Sequence, residues 1–331
     1  KEIAATFDTK SCVARCVEFS KSHAESQELQ GYQYFKIYDD YQLEYILVVC
    51  GTGDDTHMIG KMSAFQIQNL LVAYKERFDK DNFVKNLLLD NLLLVDIYSR
   101  SKKLRMPTEQ KRTVMLIQAS NSREMNVLEL TKASFGNSTK EFITAVDEKD
   151  VIIIKDLGEH EGNQEVDRYA KSICDQLAKD GVRGVRISYG TSVREIKDVS
   201  RSYKEAKMAL DVGKIFFDER DVIAYSELGI GRLIYQLPIP LCKMFIKEIF
   251  DGKSLDEFDE ETLVTINKFF ENSLNVSETS RKLFVHRNTL VYRLEKIKKI
   301  TGLDLREFDH AIIFKIALMV NKYLKSNPVK Y

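Results

Sequence analysis

Proline and glycine are scarce, at 4 and 15 in 331 residues, which is below ordinary usage. So few chain breakers argue against a loop-rich or low-complexity protein. The 5 cysteines include no CxxC pair. That argues against a disulfide framework or a zinc ribbon and makes a reducing cytoplasm the expected compartment. No apolar run reaches the roughly 18 residues of a membrane helix. The nearest, from Leu87 to Val95, is broken by Asp90 and Asn91, so no membrane partner is expected. No secretory signal pattern opens the sequence, and Lys1 rather than Met stands first, as expected of a fragment or a processed product. Net charge is also missing, with 50 Lys and Arg against 50 Asp and Glu. This excludes a globally basic nucleic-acid coat and leaves local faces open.

What is present is enough apolar content, 44%, to pack cores over two or three domains of about 100–150 residues each. The expected fold class is α+β and multidomain. Residues 1–74 read as a sensor fragment of PAS or GAF type. A strand runs from Gly31 to Tyr38, Asp39 and Asp40 form a turn, and a second strand runs from Tyr41 to Val49. The segment from Gly51 to Asp55 closes that strand, and a helix starts near Ser63. Residues 75–108 form a helical connector, part of a helical spacing from 62 to 103 that places Phe83, Leu87, Leu94 and Tyr98 on one face. An ordinary packed helix and a signalling helix paired across a dimer explain that face equally well.

The four prolines mark boundaries, because proline lacks a backbone donor and restricts the residue before it. They stand at Pro107, Pro238, Pro240 and Pro328. Between the first and second, residues 109–237 read as strand (Arg112 to Gln118), helix (Glu124 to Phe135), strand (Glu141 to Val146), a polar turn from Asp147 to Asp150, and strand (Val151 to Ile154). Helix (Gln164 to Lys179), strand (Val185 to Thr191) and helix (Ile196 to Asp211) follow. This order predicts a ferredoxin-like sheet with helices on one side. Residues 238–331 read as helix throughout, with a break at Asp251 and Gly252.

The segment from Ser277 to Leu294 has the pattern of two short helices around a tight turn. Ser280 is small where the helices cross, and Leu283, Val285, Leu290 and Leu294 fill the wedge. Ser277 is placed to cap the first helix. His286 or a neighbour starts the second, and Gly302 stops it. Phe284 is bulky where such turns often hold glycine. From Arg281 to Ile300 the net charge is +6, whereas from Asp251 to Ser280 it is −6. A basic second helix suits the DNA phosphates. In this helix-turn-helix reading His286, Arg287, Asn288, Thr289, Tyr292, Arg293, Lys296 and Lys299 are the DNA-binding candidates. Arg287 would address guanine and Asn288 adenine. Thr289 and Tyr292 would meet base methyls or phosphates, while Arg293, Lys296 and Lys299 would hold the backbone. Leu290, Leu294 and Ile297 are core.

The octet from Leu283 to Leu290, Tyr292-Arg293-Leu294 and Ile300-Thr301-Gly302 resemble the carboxy-terminal DNA-binding domain of PucR/CdaR-type bacterial transcriptional regulators, the purine-catabolism and sugar-diacid regulators. Arg186 to Gly190, Ser202 to Ala206 and Ala209-Leu210 resemble the degenerate GGDEF-like middle domain of that family. The resemblance spans about residues 78–325 and implies a ligand-responsive regulator, usually oligomeric and often an activator of a catabolic operon. Its partners would be double-stranded DNA, a small-molecule effector and a second copy of the chain or a higher homo-oligomer. No enzymatic activity, cofactor or metal is expected. An active cyclase of the GGDEF kind needs a Gly-Gly turn and carboxylates for Mg²⁺, and the turn here has no glycine. A cyclic-dinucleotide enzyme, a nucleotide-binding protein and a protein-interaction adaptor remain as rivals.

Other candidates are weaker. The segment Gly51 to Asp55 lacks the ending of a phosphate loop. Cys12, Cys16 and His23 lack further ligands, so buried thiols are expected there. His57 and His160 read as lone loop histidines. Residues 1–74 carry a net charge of −4, which runs against a pocket for a dicarboxylate.

Overall fold

The strand pair expected between residues 31 and 49 forms two of the three strands of a small sheet in the computed structural model, which describes residues 10–39, 42–121, 125–136, 140–250 and 258–326. Helix α1 (Lys10–Lys21) comes first, followed by strands β1 (Ser26–Leu29), β2 (Tyr32–Asp39) and β3 (Gln42–Cys50) in an antiparallel meander. The turn expected at Asp39 and Asp40 includes Asp40, which lies outside the described residues. Successive side chains point to opposite faces of a strand. Tyr32, Tyr34, Ile46 and Val48 accordingly pack with Cys12, Cys16 and Phe19 of α1. Phe35, Ile37, Leu47 and Val49 pack on the other face against Ala64, Ile67 and Leu71 of helix α2 (Asp54–Leu88).

Three expectations for this part are corrected. Helix α1 and strand β1 precede the expected two strands and helix, so the fragment holds two elements more than that reading gave it. Helix α2 begins at Asp54, not near Ser63. The His57 amide bonds the Gly53 carbonyl at 3.0 Å, Asp54 and Asp55 suit the positive end of the helix, and His57 is therefore helical rather than in a loop. Gly60 disguises this early turn, since glycine costs a helix about 1 kcal/mol. It is needed for contact: a Cβ there would lie 2.2 Å from the Phe35 ring. Lastly, the face expected from Phe83 to Tyr98 is not continuous. Helix α2 stops at Leu88, Asp90 takes φ +61, and α3 (Leu94–Lys103) begins separately. Phe83 and Leu87 are buried, whereas Leu94 and Tyr98 are exposed.

The chain divides into two compact units, residues 1–87 with 91–106 and residues 88–90 with 107–331. The second unit opens with the order β4 (Glu109–Gln118), α4 (Val127–Phe135), β5 (Glu141–Ala145), β6 (Asp150–Asp156), α5 (Asn163–Lys179), β7 (Arg186–Tyr189), β8 (Val193–Glu195), α6 (Val199–Phe216) and β9 (Val222–Ala224). Glu124, expected in α4, lies outside the described residues. The sheet order β5-β6-β4-β7 is the ferredoxin-like one. Strand β9 adds parallel to β7, and β8 pairs with β4.

The helices do not share one side. Met115, Ile117, Ile153 and Ile187 pack with Val166, Ala170 and Ile173 of α5, whereas Ser202 of α6 accepts the Val114 amide at 3.1 Å and Ser188 bonds the Ala206 carbonyl at 2.7 Å. The run from Val114 to Ile117 is apolar without alternation and fully buried, as a strand covered on both faces must be.

Helices α7 (Gly231–Tyr235), α8 (Ile239–Phe250), α9 (Glu260–Glu271), α10 (Val276–Lys282), α11 (Arg287–Thr301) and α12 (Phe308–Ser326) complete the unit. Pro240 sits in the first turn of α8, where proline is tolerated. The break expected at Asp251 and Gly252, and Pro328, lie outside the described residues. No helix among the described residues is long and apolar enough to cross a membrane.

Gly60→Ala should destabilise the first unit by about 1–3 kcal/mol through overpacking on Phe35. A thermal melt reads this, and an unchanged midpoint would mean that α2 is not seated tightly on the sheet.

Candidate nucleic-acid interface

Helix α9 starts at Asp259, whose side chain accepts the Thr262 amide at 2.7 Å. After α9, Ser273 and Leu274 both take positive φ, and Asn275 caps α10 by accepting the Glu278 amide at 3.0 Å. Asn275 therefore does the work expected of Ser277. The Ser277 hydroxyl instead receives the Arg287 guanidinium at 2.8 Å. The Asn275-to-Glu278 spacing is an N-terminal helix signal that reading from Ser277 missed.

The turn after α10 is a Schellman motif. The Val285 amide reaches back to the Ser280 carbonyl at 3.0 Å, and Phe284 takes φ +56. Glycine fills that place without strain. Phe284 fills it instead, with its side chain 96% exposed. Ser280 is buried as expected. His286 then caps α11, its Nδ1 accepting the Asn288 amide at 3.2 Å. Gly302 ends α11 at φ +77.

Leu290, Leu294 and Ile297 are completely buried in the core shared with Ile266, Phe269 and Phe314. Because a helix turns 100° per residue, that anchoring decides what faces outward. Asn288, Tyr292 and Lys299 lie opposite the buried stripe, with Thr289 and Lys296 beside them, and all five are exposed. Among the described residues, the side chains of Asn288, Thr289, Tyr292 and Lys299 have no hydrogen-bond or ionic partner.

The charge separation of the sequence is largely closed in space. Arg293, a half-buried residue, pairs with Glu261 and donates to the Thr265 hydroxyl at 3.1 Å. Lys296 pairs with Asp259 at 3.0 Å, Arg281 with Glu278 at 2.7 Å and Lys298 with Asp304 at 3.1 Å. Four of the seven cations between Arg281 and Ile300 are thus held by carboxylates. Hydrogen bonds from Thr262 and Lys296 bring the Asp259 carboxyl down to about 2. Asp304 is 4% exposed and receives Arg306 as well as Lys298. The Arg306 hydrogen bonds hold it well below the usual carboxylate range. Arg306 also pairs with Glu295, so this cluster ties the end of α11 to the loop before α12. Nothing in the pattern of apolar residues announces it.

In the sheet domain, Asp147 accepts the amides of Lys149 and Asp150, each at 2.8 Å. The hairpin turn thereby spends on its own side chain the donors that a phosphate cradle would use. Among the described residues no group of three or more His, Cys, Asp or Glu is placed to hold a metal.

Residues 262–320 match the PucR C-terminal helix-turn-helix domain and residues 91–212 the GGDEF-like domain. Both matches are to domains found in PucR/CdaR-type regulators, which this chain resembles. It is similar to the purine catabolism regulatory protein of Bacillus subtilis (strain 168), 26% identical over 42% of this chain and 27% of that one. The carbohydrate diacid regulator of Escherichia coli (strain K12) is 24% identical over 76% of this chain and 68% of its own. The DNA-binding transcriptional activator AdeR of Bacillus subtilis (strain 168) is 29% identical over 50% of this chain and 40% of its own. The match thus covers well under two thirds of two of these relatives. A crystal structure of a regulator of polyketide synthase expression from Bifidobacterium adolescentis aligns with 74% of this chain and 98% of its own at 13% identity and a TM-score of 0.35. The helix-turn-helix match falls on α9 to α12, the elements that present the exposed stripe of α11.

Because Asp304 ionises more readily when folded than unfolded, its pairing stabilises the protein above about pH 4, the ordinary aspartate range, and that gain is lost as pH falls from there. Asp304→Asn should melt below the parent near neutral pH, and the gap should shrink on acidification. A gap that stays constant across an acid series of thermal melts refutes this.

Proposed function

We propose that this chain is a ligand-responsive, DNA-binding transcriptional regulator without enzymatic activity, in which α11 enters the major groove of double-stranded DNA. The observation that carries this reading is the exposed stripe Asn288, Tyr292 and Lys299, held outward by the buried Leu290, Leu294 and Ile297. Arg287 and Asn288 are assigned to base edges, since a guanidinium matches guanine and an amide matches adenine. Thr289 and Tyr292 address base methyls or phosphates. Lys299 addresses the phosphate backbone, joined by the exposed Lys282. Arg293 and Lys296 are assigned first to the α9–α11 strut, where Glu261 and Asp259 already neutralise them, and His286 to capping.

The first unit is assigned to the effector, whose identity is left open, and PAS or GAF type is the favoured sensor class. A homodimer follows from specificity, because one recognition helix reads too few base pairs. Effector binding would shift the population of dimer arrangements and so the spacing of the two reading heads. Activation of a catabolic operon is the favoured direction; the AdeR relative is a transcriptional activator by name. The glycine-free hairpin turn supports a non-catalytic middle domain.

The test is selection of the purified chain against random DNA duplexes. An enriched sequence is expected. Arg287→Ala should cost about 1–3 kcal/mol on it and relax the preference. Lys299→Ala should weaken binding to all sequences alike and lower the slope of log affinity against log salt by about one. Arg293→Ala should chiefly lower the melting temperature. No enrichment, with salt-insensitive binding, would overturn the DNA reading and favour an adaptor that uses α11 on protein.

A further inference from the structure

Helix α2 carries two apolar stripes, and the first unit uses only one. Gly60, Ala64, Ile67 and Leu71 face the sheet, with Gly60 and Ala64 closing on Phe35 and Ile37. On the opposite side Met58, Met62, Phe65 and Val72 are between 45% and 63% exposed. Positions 58, 62, 65, 69 and 72 alternate steps of four and three, which is the seam of a coiled coil rather than the wider stripe of a packed surface helix. Asn69, exposed, occupies the one polar position between Met58 and Val72 on that seam. Ile59, 62% exposed, widens it at one end.

We propose that this seam pairs with the same seam of a second copy of the chain, as a parallel, in-register two-stranded coiled coil. Area is the first argument for that occupant. The exposed parts of Met58, Ile59, Met62, Phe65 and Val72 come to roughly 500 Å² per copy, so that a pair removes at most about 1,000 Å² of this apolar surface from water, near the lower bound of a specific interface. Asn69 is the second. Against an apolar partner its amide would be buried without hydrogen bonds, at a cost. In a parallel, in-register pair it meets its own counterpart, and each amide both donates and accepts. A single Asn in such a seam fixes register and two-strandedness. An antiparallel pair centred on Phe65 would set Asn69 opposite Lys61 and leave the amide without that reciprocal bond.

This inference deepens the dimer part of the proposed function and is tested without DNA. Light scattering of the full chain should give twice 38.2 kDa. Phe65→Glu, which places a charge in the seam at a residue 62% exposed, should give the single mass with an unchanged circular dichroism spectrum. Met58→Cys and Val72→Cys should each cross-link to themselves on mild oxidation, above the background of the parent chain with its exposed Cys50. A monomeric parent overturns the proposal. So does a dimer that survives Phe65→Glu, or one in which 58 links only to 72 in a mixture of the two variants. A monomer that still enriches a DNA sequence overturns the pairing and leaves the DNA reading standing.

Discussion

The seating of α11 on its neighbours is the constraint from which the rest of the exposed helix-turn-helix surface follows. Three residues, Leu290, Leu294 and Ile297, are removed from water completely, and burial of side chains of this size is worth about 1.5–3 kcal/mol each. Once they are fixed inward, the helical period leaves no choice about the residues opposite them. Arg293 and Lys296 lie to the side of the buried stripe that meets α9, and their carboxylate partners come from the start of that helix. Asp259 both caps α9 and receives Lys296, so one side chain sets where α9 begins and where α11 lies against it. The pairs set orientation, whereas the apolar core supplies most of the stability, because exposed ion pairs are screened and weak.

The same economy appears in the sheet domain. A strand with apolar residues at every position must be covered twice, and β4 is covered by α5 on one face and by α6 on the other. Gly190 marks how close α6 comes: a Cβ there would lie 2.1 Å from the Ser202 carbonyl oxygen. The Ser202 hydroxyl binds the Val114 amide and the Thr191 carbonyl, which knits the helix to β4 and to the loop between β7 and β8 through groups a purely apolar contact would leave unbonded. The hairpin turn at the far end of β6 is self-satisfied through Asp147. A turn whose amides are already bonded offers no pre-built site for phosphate, whatever the ancestry of the fold.

Most of this could be read from particular residues. The period-two alternation around Tyr34 and Phe35, the run from Val114 to Ile117, and the stop at Gly302 each leave one structural solution. The octet from Leu283 to Leu290 puts the start of α11 at His286 or a neighbour, and the helix begins at Arg287. Other features were illegible for physical reasons. Helix α2 is apolar on two sides, so its amphipathic signal cancels, and Gly60 lowers the local propensity just where the helix begins. The interruption at Asp90 is a single left-handed residue inside a stretch whose apolar spacing continues almost in phase, and spacing cannot see one dihedral. The placement of α6 on the second face depends on tertiary packing that strand order does not encode. The charge tally failed differently: acids and bases counted along the chain looked segregated, but the fold brings α9 against α11 and joins them.

The pairing of α9 acids with α11 bases bears on how the basic helix would meet DNA. Cations already held by carboxylates cannot add to a phosphate contact without surrendering a partner, so their net contribution is an exchange rather than a gain. Lys282 and Lys299 have no such partner among the described residues, and each can release a DNA counterion without breaking anything in the protein. Arg287 is intermediate. Its tie is a neutral hydroxyl, that of Ser277, and a hydrogen bond to a neutral group is weaker than the charge-assisted pair a guanine or phosphate would offer. The same tie holds the guanidinium beside the amino end of α11, so the side chain is restrained near the groove before DNA arrives, and less conformational freedom remains to be lost on binding. In the proposed reading, specific contact at Arg287 and nonspecific contact at Lys299 would therefore have different physical origins, although the two residues share one helix.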